Sequence, residues 1–250
     1  MNASAILSTR NITKKFGGFT ANKDVSVDFP KGKLTAIIGP NGAGKSTFFN
    51  MVSGSFAPTS GDILFDGKSV VGLKPHEFAK AGISKSFQIT NLFPALTVLE
   101  NVRVAVQSMH SAYDLWTPRS RRAEWVEQAE RLLELVGLQD KRRERAENLA
   151  HGEQRSLEIA VALACDPKLL LLDEPTAGMS PEETRVIMDL ILKLLEHRTV
   201  GLVEHKMKLV MGVSDNIIVL HHGELLAQGA PDEIRSNEEV KRVYLGKGNH

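Results

Sequence analysis

Nine consecutive residues carry the densest chemical signal in the chain: Gly39-Pro40-Asn41-Gly42-Ala43-Gly44-Lys45-Ser46-Thr47. Glycines at this spacing let successive backbone N–H groups converge on phosphate oxygens, and a helix starting at the lysine adds positive potential. Lys45 is placed to reach β- and γ-phosphates, Ser46 to ligate Mg²⁺, and Thr47 to steady the phosphate end. The flanks fit. Leu34-Thr35-Ala36-Ile37-Ile38 reads as a buried strand, and Phe48-Phe49-Asn50-Met51-Val52 as the first turns of a helix. Strand, glycine loop and helix form the context this G-x-x-x-x-G-K-[ST] pattern needs.

Four other places could act on the same phosphates. Leu169-Leu170-Leu171-Leu172 is an apolar run ending in Asp173-Glu174. Alternation along a strand points the two acids apart. Asp173 is then the candidate to hold Mg²⁺ through a water, and Glu174 to polarise an attacking water as general base. Gln88 follows a strand, and a neutral amide there can ligate Mg²⁺ and orient water. His205 follows the strand Thr199–Val203 and can donate to a γ-phosphate or hold the water. Leu149-Ala150-His151-Gly152-Glu153-Gln154-Arg155 precedes a helix, and its backbone N–H groups, with Ala150, His151, Gly152 and Glu153 as the candidate contacts, could bind phosphate at the helix N-terminus. That last turn is surplus to a site already filled by its own chain, so it is expected to act on a second subunit's nucleotide. A ring near the glycine loop could stack on a purine. Phe16 is the first candidate and Phe19 the second, with simple packing the remaining alternative.

The elements that must position these groups read as follows. Residues 5–13 and 21–29 are strands around the Gly17-Gly18 turn. Asp62–Phe65 is a strand closed by an Asp66-Gly67 hairpin turn. Pro75 to Ala81 is a short helix, and 82–87 a strand. Residues 97–109 and 121–136 are helices, the second with Trp125, Ala129, Leu132, Leu133 and Val136 on one face and Gly137 as C-cap. The joint near 111–120 is a loop. Helical pattern returns at Gly152–Cys165 and Pro181–His197, with a short helix at 207–213, a strand at 216–220 and one final helix after Pro231. The fold class expected is α/β: a mixed sheet core of the P-loop NTPase kind, an antiparallel β layer and a helical subdomain. Within one domain, 1–87 and 166–250 form the nucleotide core with its β layer, and 88–165 the helical part.

Composition agrees with a globular chain: 250 residues, 42% apolar and 24% charged. A net charge of +1 argues against a dedicated nucleic-acid surface. The single cysteine, Cys165, cannot form an internal disulfide and is expected as a buried small residue in a reducing compartment. No run of eighteen apolar residues is present, and no apolar signal segment precedes the first strand.

Taken together, the phosphate loop, Gln88, Leu149–Gln154, Asp173-Glu174-Pro175 and His205 resemble an ABC transporter ATP-binding subunit. The resemblance spans residues 5–245. Phe87–Val102, Phe16-Gly17-Gly18, Glu153–Ala160, Ala177–Thr184 and Val203-Glu204-His205 are similar to the branched-chain amino acid importer ATPases. Importers for urea, amides or aromatic acids share much of this pattern, and a weakly hydrolysing cassette paired with a more active paralogue is the alternative to a full ATPase. The resemblance implies ATP and Mg²⁺, two cassettes head to tail, and Phe16 on adenine. It places residues 176–181 along the dimer seam. Two membrane permease subunits are expected to meet residues 88–100, with Ile89, Leu92 and Phe93 as contacts. An external solute-binding protein and a peripheral place on the cytoplasmic face of the membrane complete it. DNA- or ribosome-directed relatives usually join two cassettes or insert a coiled coil, and neither feature is present. Two positions depart from the usual family pattern: Ala150, where serine is common, and Ser180, where many relatives carry aspartate or asparagine.

Overall fold

A computed structural model describes residues 4–86, 92–110 and 119–245. The centre is a six-stranded sheet that carries the phosphate loop on its third strand from one end. Its strands are β4 (Leu34–Ile38), β7 (Ile83–Ser86), β8 (Leu169–Asp173), β9 (Thr199–Val203), β10 (Asn216–His221) and β11 (Glu224–Gly229), in the order β11-β10-β4-β9-β8-β7. All neighbours are parallel except the β10–β11 hairpin. Every residue of β4, β8 and β9 is buried. Continuous apolar runs of this kind are what a sheet covered on both faces requires.

A second, antiparallel sheet holds β1 (Ala5–Phe16), β2 (Phe19–Val25), β3 (Asp28–Pro30), β5 (Ser60–Phe65) and β6 (Lys68–Ser69). The strand expected at 21–29 is split, because residues 26–27 leave the ladder between β2 and β3. The β5–β6 turn uses Asp66 and Gly67, both at positive φ (46° and 76°). That is the backbone a tight hairpin needs, and glycine supplies it without strain.

Helices cover the central sheet. The phosphate-loop helix is α1 (Lys45–Val52), and α2 (Pro75–Ala81) leads into β7. Then α3 (Val98–His110), α4 (Arg119–Leu135) and α5 (His151–Leu163) pack on one another. Thr97 and Glu100 form a reciprocal cap at the start of α3: the Glu100 N–H donates to Thr97 Oγ1 at 3.1 Å, and the Thr97 N–H to Glu100 Oε2 at 3.3 Å. The loop expected to 120 ends sooner, since α4 begins at Arg119; residues 111–118 lie outside the described residues. Gly137, at φ 76°, closes α4 as expected. After α5 come α6 (Pro181–Leu195), α7 (Met207–Val213), α8 (Pro231–Ser236) and α9 (Glu238–Leu245). The single final helix expected after Pro231 is therefore two. Asn237 breaks it, because its Oδ1 accepts the N–H groups of Glu239 (2.9 Å) and Val240 (3.1 Å) and starts a new helix.

Cys165 also departs from expectation. It falls beyond the end of α5 and is only half-buried. It lines a cavity of about 280 Å³ with Lys85, Leu92, Met109 and Glu158. Burial pushes its thiol up, so it is held in the protonated form.

Candidate active site

The site is built at the carboxyl ends of β4, β8 and β9. The turn from β4 into α1 needs glycine twice for stated reasons. A Cβ on Gly39 would strike the Leu220 carbonyl of neighbouring β10, and one on Gly44 (φ 89°) would lie 2.6 Å from both the Ala21 carbonyl and Asn22 Nδ2. Close packing therefore fixes the loop. Lys45 is 94% buried, and its ammonium donates to the carbonyls of Gly39 (2.8 Å) and Pro40 (3.0 Å). Burial pulls its pKa down, while Glu174 and Asp173 oppose that loss of charge.

A cavity of about 400 Å³ opens over the loop. Its lining holds Asn41, Gly42, Ala43, Gly44, Lys45, Ser46 and Thr47, with Glu174 and His205 from the far side. The structure thus brings together the loop, the second acid and the histidine. Asp173 ends β8 beneath them, paired in register with Val203.

The two acids differ in environment, though not by strand alternation as expected. β8 stops at Asp173, and Glu174 adopts φ 47°, in the left-handed region. That conformation is sparse for a residue with a Cβ and is held by its surroundings. The Glu174 N–H donates to the Val203 carbonyl at 3.0 Å. Arg155 on α5 donates to the carbonyls of Asp173 (3.3 Å), Glu174 (2.8 Å) and Pro175 (3.3 Å). The kink turns the Glu174 side chain towards His205, whose Nε2 lies 2.5 Å from Glu174 Oε1. Asp173 stays buried, and burial pushes its carboxyl up, with Lys85 opposing. The Lys85 ammonium lies 3.9 Å from Asp173 Oδ2 and donates to Asn50 Oδ1 at 2.6 Å.

The sequence by itself assigns no role to Arg155, Lys85 or Glu204. Glu204 is buried beside His205; its carboxylate accepts from the Thr176 N–H and hydroxyl (3.2 and 2.7 Å) and from the His205 N–H (3.1 Å). It ties the two loops that present Glu174 and His205. Its signal was available, since it directly precedes His205 at the end of a buried strand.

Other expected residues lie elsewhere. Phe16 is half-exposed at the end of β1, edge-on to Phe56 at 5.9 Å with Lys14 Nζ 5.4 Å from its ring centre. Phe19 is the ring in the wall of the phosphate-loop cavity. Gln88 and Ile89 lie outside the described residues. Leu92 is turned into the core rather than outwards, because it joins the apolar cluster with Val102 and Val106. Phe93 is 54% exposed.

Ala150, His151, Gly152 and Glu153 do not line the phosphate-loop cavity of their own chain. They form the first turn of α5, with Ala150 as its N-cap. The cap is half of the reciprocal kind. Glu153 Oε2 accepts the Ala150 N–H at 3.0 Å, but Ala150 has no oxygen to return the bond. The Glu153 carboxylate also accepts from Lys141 Nζ at 2.9 Å, which spends it on structure.

Comparison with known proteins places this geometry. The ABC transporter family model matches residues 22–177, and the model described as branched-chain amino acid ATP-binding cassette transporter matches residues 224–250. The high-affinity branched-chain amino acid transport ATP-binding protein LivG of Salmonella typhimurium is 42% identical over 250 residues, covering 97% of this chain and 98% of that protein. The corresponding BraF protein of Pseudomonas aeruginosa is 42% identical over 251 residues, with the same coverage. A nucleotide-free ATP-binding cassette from an ABC transporter superimposes with a TM-score of 0.86 at 32% identity, over 98% of this chain and all of that one. A dimeric cassette in a post-hydrolysis state bound to ADP and Pi gives 0.76 at 30% identity, over 90% of this chain and 98% of that one. The chain therefore belongs to the ABC transporter family, as an ATP-hydrolysing subunit of the branched-chain amino acid transport kind.

Proposed function

We propose that the chain powers a membrane importer for branched-chain amino acids, in a head-to-tail pair of cassettes that closes over two ATP molecules. The observation that carries the chemistry is the convergence of Lys45, Ser46, Glu174 and His205 on one cavity. Residues 39–47 cradle the phosphates, and Lys45 exchanges its carbonyl partners at Gly39 and Pro40 for phosphate oxygens. Glu174 takes a proton from water in line with the γ-phosphate. His205 holds one carboxylate oxygen, leaving the second for that proton.

Asp173 Oδ1 is buried and makes no hydrogen bond among the described residues. An orphaned carboxylate oxygen below a phosphate loop fits a hydrated Mg²⁺, held with the Ser46 hydroxyl and Gln88. The ion would supply charge against the β- and γ-phosphates.

Across the pair, the partner's first turn of α5 (Ala150–Gly152) offers N–H groups to the γ-phosphate, and residues 176–181 run along the seam. The helical part, 88–165, carries that turn. Two permease subunits meet residues 88–100, where Phe93 stands exposed, and an external binding protein delivers the solute. Among the described residues no helix is long and apolar enough to cross a membrane. The chain is held at the cytoplasmic face through protein contacts.

Proteoliposomes holding the assembled transporter and its binding protein test this reading. ATP-dependent uptake of labelled leucine is expected, above uptake of urea or small aromatic acids. Uptake of one of those in preference would move the solute assignment, and hydrolysis at full rate by a monomeric chain would overturn the composite site.

A further inference from the structure

Three consecutive backbone carbonyls meet one guanidinium just past the end of β8. Arg155 Nη2 donates to the carbonyls of Asp173 (3.3 Å) and Glu174 (2.8 Å), and Nε donates to that of Pro175 (3.3 Å). In an extended strand successive carbonyls point to opposite sides, so one group cannot serve three in a row. Glu174 breaks that alternation with its φ of 47°. The kink and the guanidinium therefore need each other. A left-handed glutamate persists only where its surroundings hold it, and buried carbonyls turned the same way need donors. Arginine presents its donors in a planar fork, which a lysine ammonium cannot copy.

The fork is itself held. Nη1 donates to Glu158 Oε2 at 2.6 Å, and both side chains are only 10% exposed. A charge buried this far needs such a partner. On the other side of the kink, the Glu174 N–H donates to the carbonyl of Val203, the last residue of β9. The bend is thus pinned from α5 and from β9, and the Glu174 side chain leaves it towards His205 Nε2. Arg155 does not line the phosphate-loop cavity.

We propose that Arg155 is a positioning residue for ATP hydrolysis: held by Glu158, it fixes the backbone bend that aims Glu174 at the attacking water. This rests on the reading of Glu174 as the base. Arg155 acts through the Glu174 backbone and not on the nucleotide. The aim of the base is then set by α5 as well as by the strand that carries it.

The test replaces the ion pair as a unit, Arg155→Met with Glu158→Leu, so that no charge is left buried alone. In the nucleotide-free full chain, nitrogen-15 spectra of the histidine rings report the contact between Glu174 and His205. The His205 signals are assigned by their loss in His205→Gln. They should move in the pair variant as they move in Glu174→Gln, because in both the carboxylate has left Nε2. In the assembled transporter kcat is expected to fall roughly 10- to 100-fold, the scale of a misplaced catalytic group. KM for ATP should stay within roughly twofold, since the phosphate loop is untouched. Unmoved His205 signals, or turnover within roughly threefold of the wild type, overturn the proposal. Should the pair variant fail to fold, Arg155→Lys carries the test, because it keeps the Glu158 pair but loses the fork. Both readouts should then move in the same directions, and wild-type values in either overturn the proposal. Unchanged turnover in Glu174→Gln would instead overturn the base itself, whatever the His205 signals do in the Arg155 variants.

Discussion

His205 Nε2 and Glu174 Oε1 lie 2.5 Å apart across two loops that are 31 residues apart in the chain. The contact exists because β8 and β9 are parallel neighbours in register, Asp173 opposite Val203. Each strand then releases its next residues at the same end of the sheet. A carboxylate held this way is aimed before any nucleotide arrives, which is the preorganisation a general base requires.

Replacing Glu174, the proposed base, should separate binding from chemistry. Glu174→Gln is expected to lower turnover of the assembled transporter by about 10²–10⁴-fold, the usual worth of a general base. Nucleotide binding should persist, because Lys45 and the loop are untouched. Phosphate release measured beside binding of a fluorescent nucleotide checks this, and unchanged turnover would remove Glu174 from the role.

Lys45→Met should act at the earlier step. The buried ammonium already makes two hydrogen bonds to loop carbonyls, so losing it costs both loop order and the phosphate contact. Charge-assisted hydrogen bonds are worth about 1.5–3 kcal/mol each, so nucleotide affinity is expected to fall roughly 10- to 100-fold. Equilibrium titration with labelled ATP is the measurement, and affinity within twofold of the wild type would contradict it.

Ala150→Ser is expected to improve the protein twice over. The new hydroxyl completes the cap that Glu153 has half built, adding about 0.5–1 kcal/mol of stability. Across the pair it also adds a donor to the γ-phosphate. Urea midpoints and ATPase rates of the complex report the two effects separately. A stability gain with no change in rate would place the residue in folding alone.

Glu153 gives the protein an acid-sensitive limb. The Lys141 ammonium holds its carboxyl below the ordinary value of 4.5, with burial opposing and the Ala150 N–H assisting. The folded state therefore binds the proton less tightly than the unfolded chain. The stabilisation is complete above about pH 4.5 and is lost as pH falls through the lowered folded value. The pair is partly exposed, so solvent screens it and the loss is small. Urea midpoints from pH 7 to pH 3 should fall less steeply in Glu153→Gln than in the wild type; parallel curves would show that the pair contributes nothing.

Residues close in the chain made much of this site legible. Gly39–Thr47 encodes a phosphate cradle because glycine spacing and a helix start act over nine residues. Asp66-Gly67 encodes a turn, and Leu169–Leu172 a buried strand, for equally local reasons. The family resemblance added its map of roles, and the comparisons agree with the family. What the residues could not show was which groups meet. Glu174 faces His205 through a left-handed kink clamped by Arg155, not through strand alternation. Phe19 rather than Phe16 lines the cavity, and Leu92 faces inwards. Asn237 divides a helix that hydrophobic pattern alone would run on. In each case the deciding contact joins segments distant in sequence, or one side-chain oxygen to one backbone N–H. Local spacing fixes what a segment can form; the order of strands in the sheet fixes what that segment will touch.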